Sequence, residues 1–176
     1  MNGEQAVAAI PPLVAARLAR LRERGIDASA MPVSHVCWRA PSMARYREAV
    51  AAFLPFASAW AEDEFAGRPI TLLLPREGAA RDGAGVGLME VCAPRAGHPY
   101  AEGWEHAGFS LGGDPLAFHA RHAAVLDGIK DRGQDVQSAF VTFDDGATAK
   151  FYAAPLREIV AAQAGRWAFQ PADGPC

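Results

Sequence analysis

The sequence predicts an α+β fold in which two β-α-β-β-β modules form one curved, mixed sheet around a cup, preceded by an N-terminal helical extension. One observation is that the same order of elements is found twice along the chain, at about 31–94 and again at about 103–154. Another is that both modules end in similar strings, Glu-Val-Cys-Ala-Pro at 90–94 and Lys-Phe-Tyr-Ala-Ala-Pro at 150–155. The last is that four predicted strands carry polar residues on one face and mostly apolar residues on the other.

Composition limits the class of protein. The 176 residues are 51% hydrophobic, which is enough for a substantial core, and the net charge is −3. The basic residues are scattered, which argues against nucleic acid and anionic membranes as partners. No stretch approaches the roughly 20 apolar residues of a membrane span, and the N-terminus lacks the pattern of a signal peptide. We therefore expect a cytoplasmic monomer or homodimer that binds a small-molecule substrate.

The three cysteines are odd in number and have no CxxC spacing, so a disulfide framework is not expected. Residues 1–30 are predicted to form the helical extension, because Val14, Leu18 and Leu21 recur at helix spacing. Pro12 suits a first helical turn and Gly25 the position just past the end. The main domain is predicted at 31–163, and 164–176 is predicted to be a C-terminal tail.

The elements of the two modules follow from local patterns. In the first module we expect a strand at 33–40, a helix capped by Ser42, an extended segment at 56–66, and strands at 68–74 and 86–93, with a polar loop at 75–85. A linker at 94–102 joins the modules. In the second module we expect a strand at 103–111, a helix capped by Asp114 and running to about 126, an extended segment near 129–133, and strands at 136–143 and 148–154. Asp-Asp-Gly at 144–146 predicts a tight turn, and a last helix is predicted at 155–163.

Strand alternation gathers polar residues on one face of the predicted sheet. Because successive side chains point to opposite faces, His35, Glu90, His106 and Lys150 share a face, with Arg39 beside His35. Isolated polar residues on four buried strands would be costly. Gathered around a metal ion and a substrate, they have a function.

Two imidazoles and a carboxylate are a common ligand set for Fe(II), Mn(II), Ni(II) or Zn(II). His35, Glu90 and His106 are therefore the predicted ligands of a divalent metal ion whose identity stays open. Since each comes from a separate strand, the three can lie on one side of the ion. The other positions then remain open for water or a substrate oxygen.

Three neighbouring residues have simpler interpretations. By the same alternation, Glu105 is expected to point away from His106, in a supporting or surface role rather than as a ligand. Cys37 and Cys92 share the faces of the predicted ligands, but small buried fillers are the more economical interpretation.

Several strings resemble the YecM family: Ser-His-Val-Cys-Trp-Arg at 34–39, Gly-Arg-Pro-Ile at 67–70, Met-Glu-Val at 89–91, and Tyr-Ala-Glu-Gly-Trp-Glu-His at 100–106. The Asp-Gly turn at 145–146, Lys-Phe at 150–151 and Glu-Ile-Val at 158–160 continue the resemblance in order, so that it covers about 31–163. This family belongs to the vicinal oxygen chelate superfamily, with glyoxalase I, extradiol dioxygenases and antibiotic-resistance proteins. The resemblance implies paired βαβββ modules around a metal cup, and a metal-binding enzyme of unassigned substrate.

The resemblance also implies four ligand positions, which fall on His35, Glu90, His106 and Lys150. Many relatives have Glu at the fourth position, and a protonated Lys is a poor metal ligand. Either the site has three protein ligands, or Lys150 binds a substrate carboxylate or acts as an acid or base beside the metal.

Arg39 and Arg68 are the remaining candidates for catalysis, as binders of a substrate anion; the alternative is a structural ion pair. Three functions stay open. The chain is a metal-dependent enzyme of isomerase, lyase or dioxygenase chemistry, a protein that sequesters a small molecule, or a structural relative with an empty cup. The first is the function that the sequence favours.

Overall fold

The computed structural model describes residues 1–77, 85–98, 100–131, 136–163 and 165–172. Two helices come first, α1 (Gly3–Ala8) and α2 (Ile10–Glu23). The first module follows as β1 (Val33–Arg39), α3 (Met43–Phe53), β2 (Ala57–Glu64), β3 (Pro69–Pro75) and β4 (Met89–Cys92), with a 3-10 turn at Leu54–Phe56. The second module contains β5 (Gly103–Ser110), α4 (Pro115–Arg121), β6 (Gly128–Asp131), β7 (Gln137–Thr142) and β8 (Thr148–Tyr152). The chain continues as α5 (Leu156–Ala161) and β9 (Gln170–Pro171).

All described strands form one sheet in the order β6-β7-β8-β5-β1-β4-β3-β2-β9. Within each module the first strand is parallel to the fourth, since β1 pairs with β4 and β5 with β8. The remaining pairs in each module are antiparallel. The modules meet where β1 pairs antiparallel with β5. The predicted α+β fold of two βαβββ modules in a curved mixed sheet, with an N-terminal helical extension, is confirmed.

Helices α1 to α4 cover one face of this sheet. Val14 and Leu21 of α2, Phe53 of α3 and Phe118 of α4 belong to one apolar cluster with the strands beneath them. Ser42 caps α3 by accepting from the Arg45 N–H, and Asp114 caps α4 in the same way. The apolar face of each predicted strand is therefore the face that lies under helices.

The opposite face carries a smaller apolar cluster, in which Leu156 and Val160 of α5 and Trp167 pack against the strands of the first module. Arg166 ties this C-terminal segment to the β2–β3 hairpin through Asp63 and the Glu64 carbonyl oxygen. Helix α5 and Trp167 therefore cover part of the cup.

Several element boundaries differ from the predictions. The N-terminal extension is two helices rather than one, and α4 ends at Arg121 because the next residues turn instead of continuing to about 126. Strand β4 begins at Met89 rather than 86, and 78–84 of the predicted loop lie outside the described residues. Gln170–Pro171, in the predicted tail, pairs with β2.

Among the described helices, none is long and apolar enough to cross a membrane. The cytoplasmic location and the oligomeric state stay predictions.

Candidate metal centre

His35, Glu90 and His106 lie together on the three central strands of the sheet. Strand β1, which carries His35, is paired with β4 on one side and β5 on the other, so Glu90 and His106 flank it. The Nε2 atoms of His35 and His106 are 3.2 Å apart, and His106 Nε2 is 3.5 Å from Glu90 Oε2. One donor atom from each side chain lies within 4.8 Å of the others. The spacing suits ligands that surround one ion.

Both imidazoles are buried, each residue with 1% of its surface exposed. The ring of His35 lies over Gly108, its partner on β5. A Cβ atom at that position would collide with the ring, so glycine provides the space that the imidazole occupies. Gly108 of the second module therefore leaves room for the His35 ring of the first module.

The Nδ1 atom of each imidazole contacts an oxygen that can hold its hydrogen. His106 Nδ1 lies 2.6 Å from Glu105 Oε2, and His35 Nδ1 lies 3.1 Å from Ser34 Oγ. Ser34 Oγ also accepts a hydrogen bond from the Leu156 backbone N–H at 2.7 Å. A hydrogen on Nδ1 leaves the Nε2 lone pair for a metal ion, which is the usual arrangement behind metal-binding histidines.

The predicted orientation of Glu105, away from His106, is wrong, whereas the supporting role expected for it agrees with its contact with His106. In the β1–β5 register Cys37 pairs with His106, but Trp38 pairs with Trp104, so Glu105 is an extra residue in a β-bulge. A bulge breaks the alternation of side chains. The Glu105 carboxylate therefore reaches His106.

Two further contacts hold the Glu105 carboxylate in place. Thr148 Oγ1 donates to Glu105 Oε1 at 2.8 Å, and Arg39 Nε donates to Oε2 at 3.0 Å. Although burial alone would raise the pKa of Glu105, its pKa lies well below the ordinary value because His106, Lys150 and Arg39 favour the charged form. Glu105 is thus a charged support for His106.

His35, His106 and Glu90 form a cluster of electron-pair donors. Burial lowers the pKa of His35 to about 3, because a protonated ring would also be repelled by His106 once that ring is protonated; burial lowers the pKa of His106 as well, so both rings are neutral near pH 7. Burial alone would raise the pKa of Glu90, but the imidazoles and Lys150 hold it at about 2. Two neutral imidazoles and a carboxylate that face one another form a donor set that fits a divalent cation.

Lys150, at the fourth position, lies on β8 beside Gly108, and its Nζ atom is 3.1 Å from His106 Nε2. Burial alone would lower the pKa of Lys150, but nearby groups, among them Tyr152, Glu105 and Glu90, raise it. A charged ammonium has no lone pair for a metal. It places a positive charge beside the predicted ligands instead.

Arg39 and Arg68 lie farther from the predicted ligands, and both are near Tyr100. The Arg39 guanidinium carbon is 4.4 Å from the Tyr100 ring centroid, and that of Arg68 is 5.7 Å away. Arg39 forms an ion pair with Glu105, whereas Arg68 has no ion pair with any described residue. Arg68 Nη1 donates to the Ala93 carbonyl and to the Tyr100 hydroxyl, both at 3.2 Å, and its buried Nε has no hydrogen-bond partner among the described residues.

The residues near the predicted ligands line one pocket, whose wall is partly cationic and partly apolar. The cationic side chains that line it are Arg39, Arg68, Arg95, Lys130 and Lys150. Apolar side chains that line it include Phe65, Ile70, Leu72, Leu156, Val160 and Trp167. Glu90 and His106 also line the pocket, so a ligand inside it can reach the cluster.

Cys37 and Cys92 lie beside the predicted ligands, on the face where strand alternation put them. Both are buried, with their Sγ atoms 3.5 Å apart, and together with Glu90 they form another group of possible metal donors. The signal was present in the alternation, which put both thiols on the ligand face. Packing alone does not distinguish a filler from a donor.

A family model described as YecM protein matches residues 12–150. The chain belongs to the YecM family. The paired βαβββ topology is the fold that the resemblance to this family implied. None of the functionally curated proteins matches this YecM chain.

Solved structures resemble this YecM chain to different degrees. A structural-genomics protein named Protein EC4020 has 24% sequence identity and a TM-score of 0.67, over 90% of this chain and 91% of that one. The 2,2',3-trihydroxybiphenyl 1,2-dioxygenase of Sphingomonas wittichii strain RW1 has 14% identity and a TM-score of 0.43, over 69% and 40%. The fosfomycin resistance protein FosX of Listeria monocytogenes, solved as a point mutant with Mn(II), has 10% identity and a TM-score of 0.25, over 72% and 94%. The likeness to EC4020 supports the fold.

Proposed function

We propose that this YecM protein is a metal-dependent enzyme of the vicinal oxygen chelate type, which binds a small anionic substrate through oxygens to a divalent ion held by His35, Glu90 and His106. One observation carries the proposal. The two Nε2 atoms face each other at 3.2 Å beside the Glu90 carboxylate, while each Nδ1 atom has an oxygen partner of its own. Facing lone pairs repel unless a cation or a proton lies between them.

The three predicted ligands lie on neighbouring strands of the sheet. An ion bound by them would have the sheet on one side and the pocket on the other, where a substrate can bind. A divalent ion bound there supplies a Lewis acid that stabilises negative charge on a substrate oxygen. Fe, Mn, Ni and Zn all suit this donor set. Helix α5 and Trp167 cover part of the cup and exclude water from one side of the pocket.

Lys150 binds a substrate carboxylate or holds a proton beside the reacting oxygen. Its half-buried ammonium lies next to His106 and lines the pocket, and an anion is the ligand that a partly buried cation binds best. Arg39 and Arg68 contact the anionic substrate farther out in the pocket. The positive charge of these residues also attracts anions toward the cup.

The test uses a panel of small acids with neighbouring oxygens. The binding and the turnover of each acid are measured with the wild-type protein and with Lys150→Met. We expect Lys150→Met to keep its metal and to bind the acids about tenfold or more weakly, because a charge-assisted hydrogen bond is lost. Arg157→Met, on the exposed side of α5, is the control and should behave as the wild type.

If Lys150→Met leaves metal content, ligand binding and turnover unchanged, the role proposed for Lys150 is wrong. Tight binding without turnover of any acid would indicate a protein that sequesters its ligand, which is the alternative function. Absence of both metal and ligand binding in the wild-type protein would contradict the proposal as a whole.

A further inference from the structure

Two groups of cationic side chains in the pocket, one at Lys150 and one at Arg39 and Arg68, limit the shape of the substrate. Lys150 lies beside the predicted metal ligands. Arg39 pairs with Cys92 in the β1–β4 register, two residues farther along the strands than the pair formed by Cys37 and Glu90. Two strand residues span about 7 Å. The Cα atom of Arg39 is therefore about that far along the strand from the Cα atom of Cys37, the partner of Glu90. Arg68 and Tyr100 lie beside Arg39 and complete what we call the outer group.

The outer group has unused hydrogen-bond donors. Arg68 has no ion pair among the described residues, and its buried Nε has no partner there either. The Tyr100 hydroxyl accepts from Arg68 Nη1, and the hydrogen bonds of the described residues leave its own hydrogen unused. Arg39 uses Nε for Glu105, and the hydrogen bonds of the described residues leave its two terminal nitrogens unused. A partly buried guanidinium without a counter-ion is a site for an anion.

The region between the two groups suits a short carbon chain. Ile70 pairs with Cys92 and Leu72 with Glu90, so these two side chains follow the line from the metal end to the outer group. Leu156 and Val160 of α5 and Trp167 supply the facing wall. Methylene groups bury apolar surface there, whereas a polar bridge would lose its hydrogen bonds to water.

We propose that the substrate is a dianion, in which an acid group with a neighbouring oxygen lies at the metal end and a second acid group at Arg68, Arg39 and Tyr100, joined by a short carbon chain. This inference rests on the proposed function and names its substrate class. A diacid of about five carbons, with both carboxyl carbons counted, matches a spacing of this size.

Two probes of equal chain length test this inference: 2-oxoglutarate, and 2-oxopentanoate, in which a methyl group replaces the outer carboxylate. Calorimetric titrations use manganese-loaded and chelator-treated protein. We expect the wild-type protein to bind 2-oxoglutarate about tenfold or more tightly than 2-oxopentanoate. Arg68→Gln should remove most of that preference while it leaves the affinity for 2-oxopentanoate unchanged. Arg157→Gln, the exposed control on α5, should retain the preference.

Equal affinities in the wild-type protein, a preference for the methyl compound, or no binding of either acid would overturn the inference. Equal weakening of both acids by Arg68→Gln would also overturn it, since it would indicate a structural role for Arg68. Manganese binding is measured separately. A wild-type protein that binds no manganese contradicts the proposed function, whereas the preference for the diacid and its dependence on Arg68 report on the outer group alone.

Discussion

At the scale of single residues, Glu105 sets the tautomer of the His106 ring. Its carboxylate contacts His106 Nδ1 and is itself held by Thr148 and Arg39. A carboxylate in this position fixes the tautomer of an imidazole and makes the other nitrogen a stronger donor. Glu105 therefore acts through His106 rather than on a substrate.

Glu105→Gln keeps the size of the side chain and removes its charge. We expect metal affinity to fall about tenfold or more, as is typical when the partner of a metal-binding histidine is changed. A competitive titration with a coloured chelator measures the loss. Glu102→Gln, an exposed change nearby in sequence, is the control and should leave affinity unchanged. Equal affinities for Glu105→Gln and the wild-type protein would refute this role.

The pKa values of His35 and Glu90 predict that acid destabilises the metal-free protein. The pKa of His35 is about 3 in the folded state against an ordinary 6.5, so the unfolded chain binds its proton first as the pH falls below about 6.5. Glu90, with a pKa of about 2 against 4.5, contributes stability above about pH 4.5 that is lost as the pH falls toward 2. Both effects have the same sign.

Urea unfolding at a series of pH values should therefore give a free energy of unfolding that decreases steadily from about pH 7 to about pH 3.5. His35→Asn should reduce the slope between about pH 6.5 and 4.5, since Glu90 contributes mostly below that range. A free energy that stays constant from about pH 7 to about pH 4 would show that these groups are not held as described.

Strand alternation predicted which polar side chains come together. His35, Glu90, His106 and Lys150 lie together because they face the same side of strands that are neighbours in the sheet, although bulges lie next to His35 and His106 in the β1–β5 pair. The position of Glu105 could not be predicted, because a bulge depends on the pairing of two strands rather than on the pattern of one.

At the scale of elements, the Ser34 hydroxyl group connects α5 to the predicted ligand His35. The first residue of this helix donates its backbone N–H to Ser34 Oγ, which also contacts His35 Nδ1. Ser34 is buried, so neither partner has water as a substitute. The position of α5 over the cup and the orientation of His35 are thus linked.

Ser34→Ala should destabilise the protein by about 1–3 kcal/mol, because it leaves the Leu156 N–H buried without a partner. It should also weaken metal binding, since His35 loses the oxygen that holds its Nδ1 hydrogen. Chemical unfolding and metal titration measure the two effects. Ser58→Ala, at an exposed serine of β2, should change neither. If Ser34→Ala behaves like Ser58→Ala, the link between α5 and His35 does not exist.

The order and type of the elements were predictable because each module repeats one pattern of periodicity and caps. Helix α5 was predicted as well, but its place over the cup was not. Its packing depends on contacts of Leu156, Val160 and Trp167 with strands far away in sequence. Such contacts leave no local periodicity that could reveal the partner.

At the scale of the whole molecule, the proposed metal site joins the two modules. His35 and Glu90 belong to the first module and His106 and Lys150 to the second, and β1 and β5 form the junction between them. An ion held by both modules would stabilise the whole domain, because it binds only the folded state. Ligand binding and folding are then coupled across the junction.

The most direct test of this account is the number of divalent metal ions per chain in protein purified without chelator, measured by elemental analysis. We predict close to one Fe, Mn, Ni or Zn ion per wild-type chain, and none in the folded variant that combines His35→Ala, Glu90→Ala and His106→Ala. A wild-type protein that binds no metal even after incubation with these ions would contradict the account, as would a triple variant that retains the wild-type content.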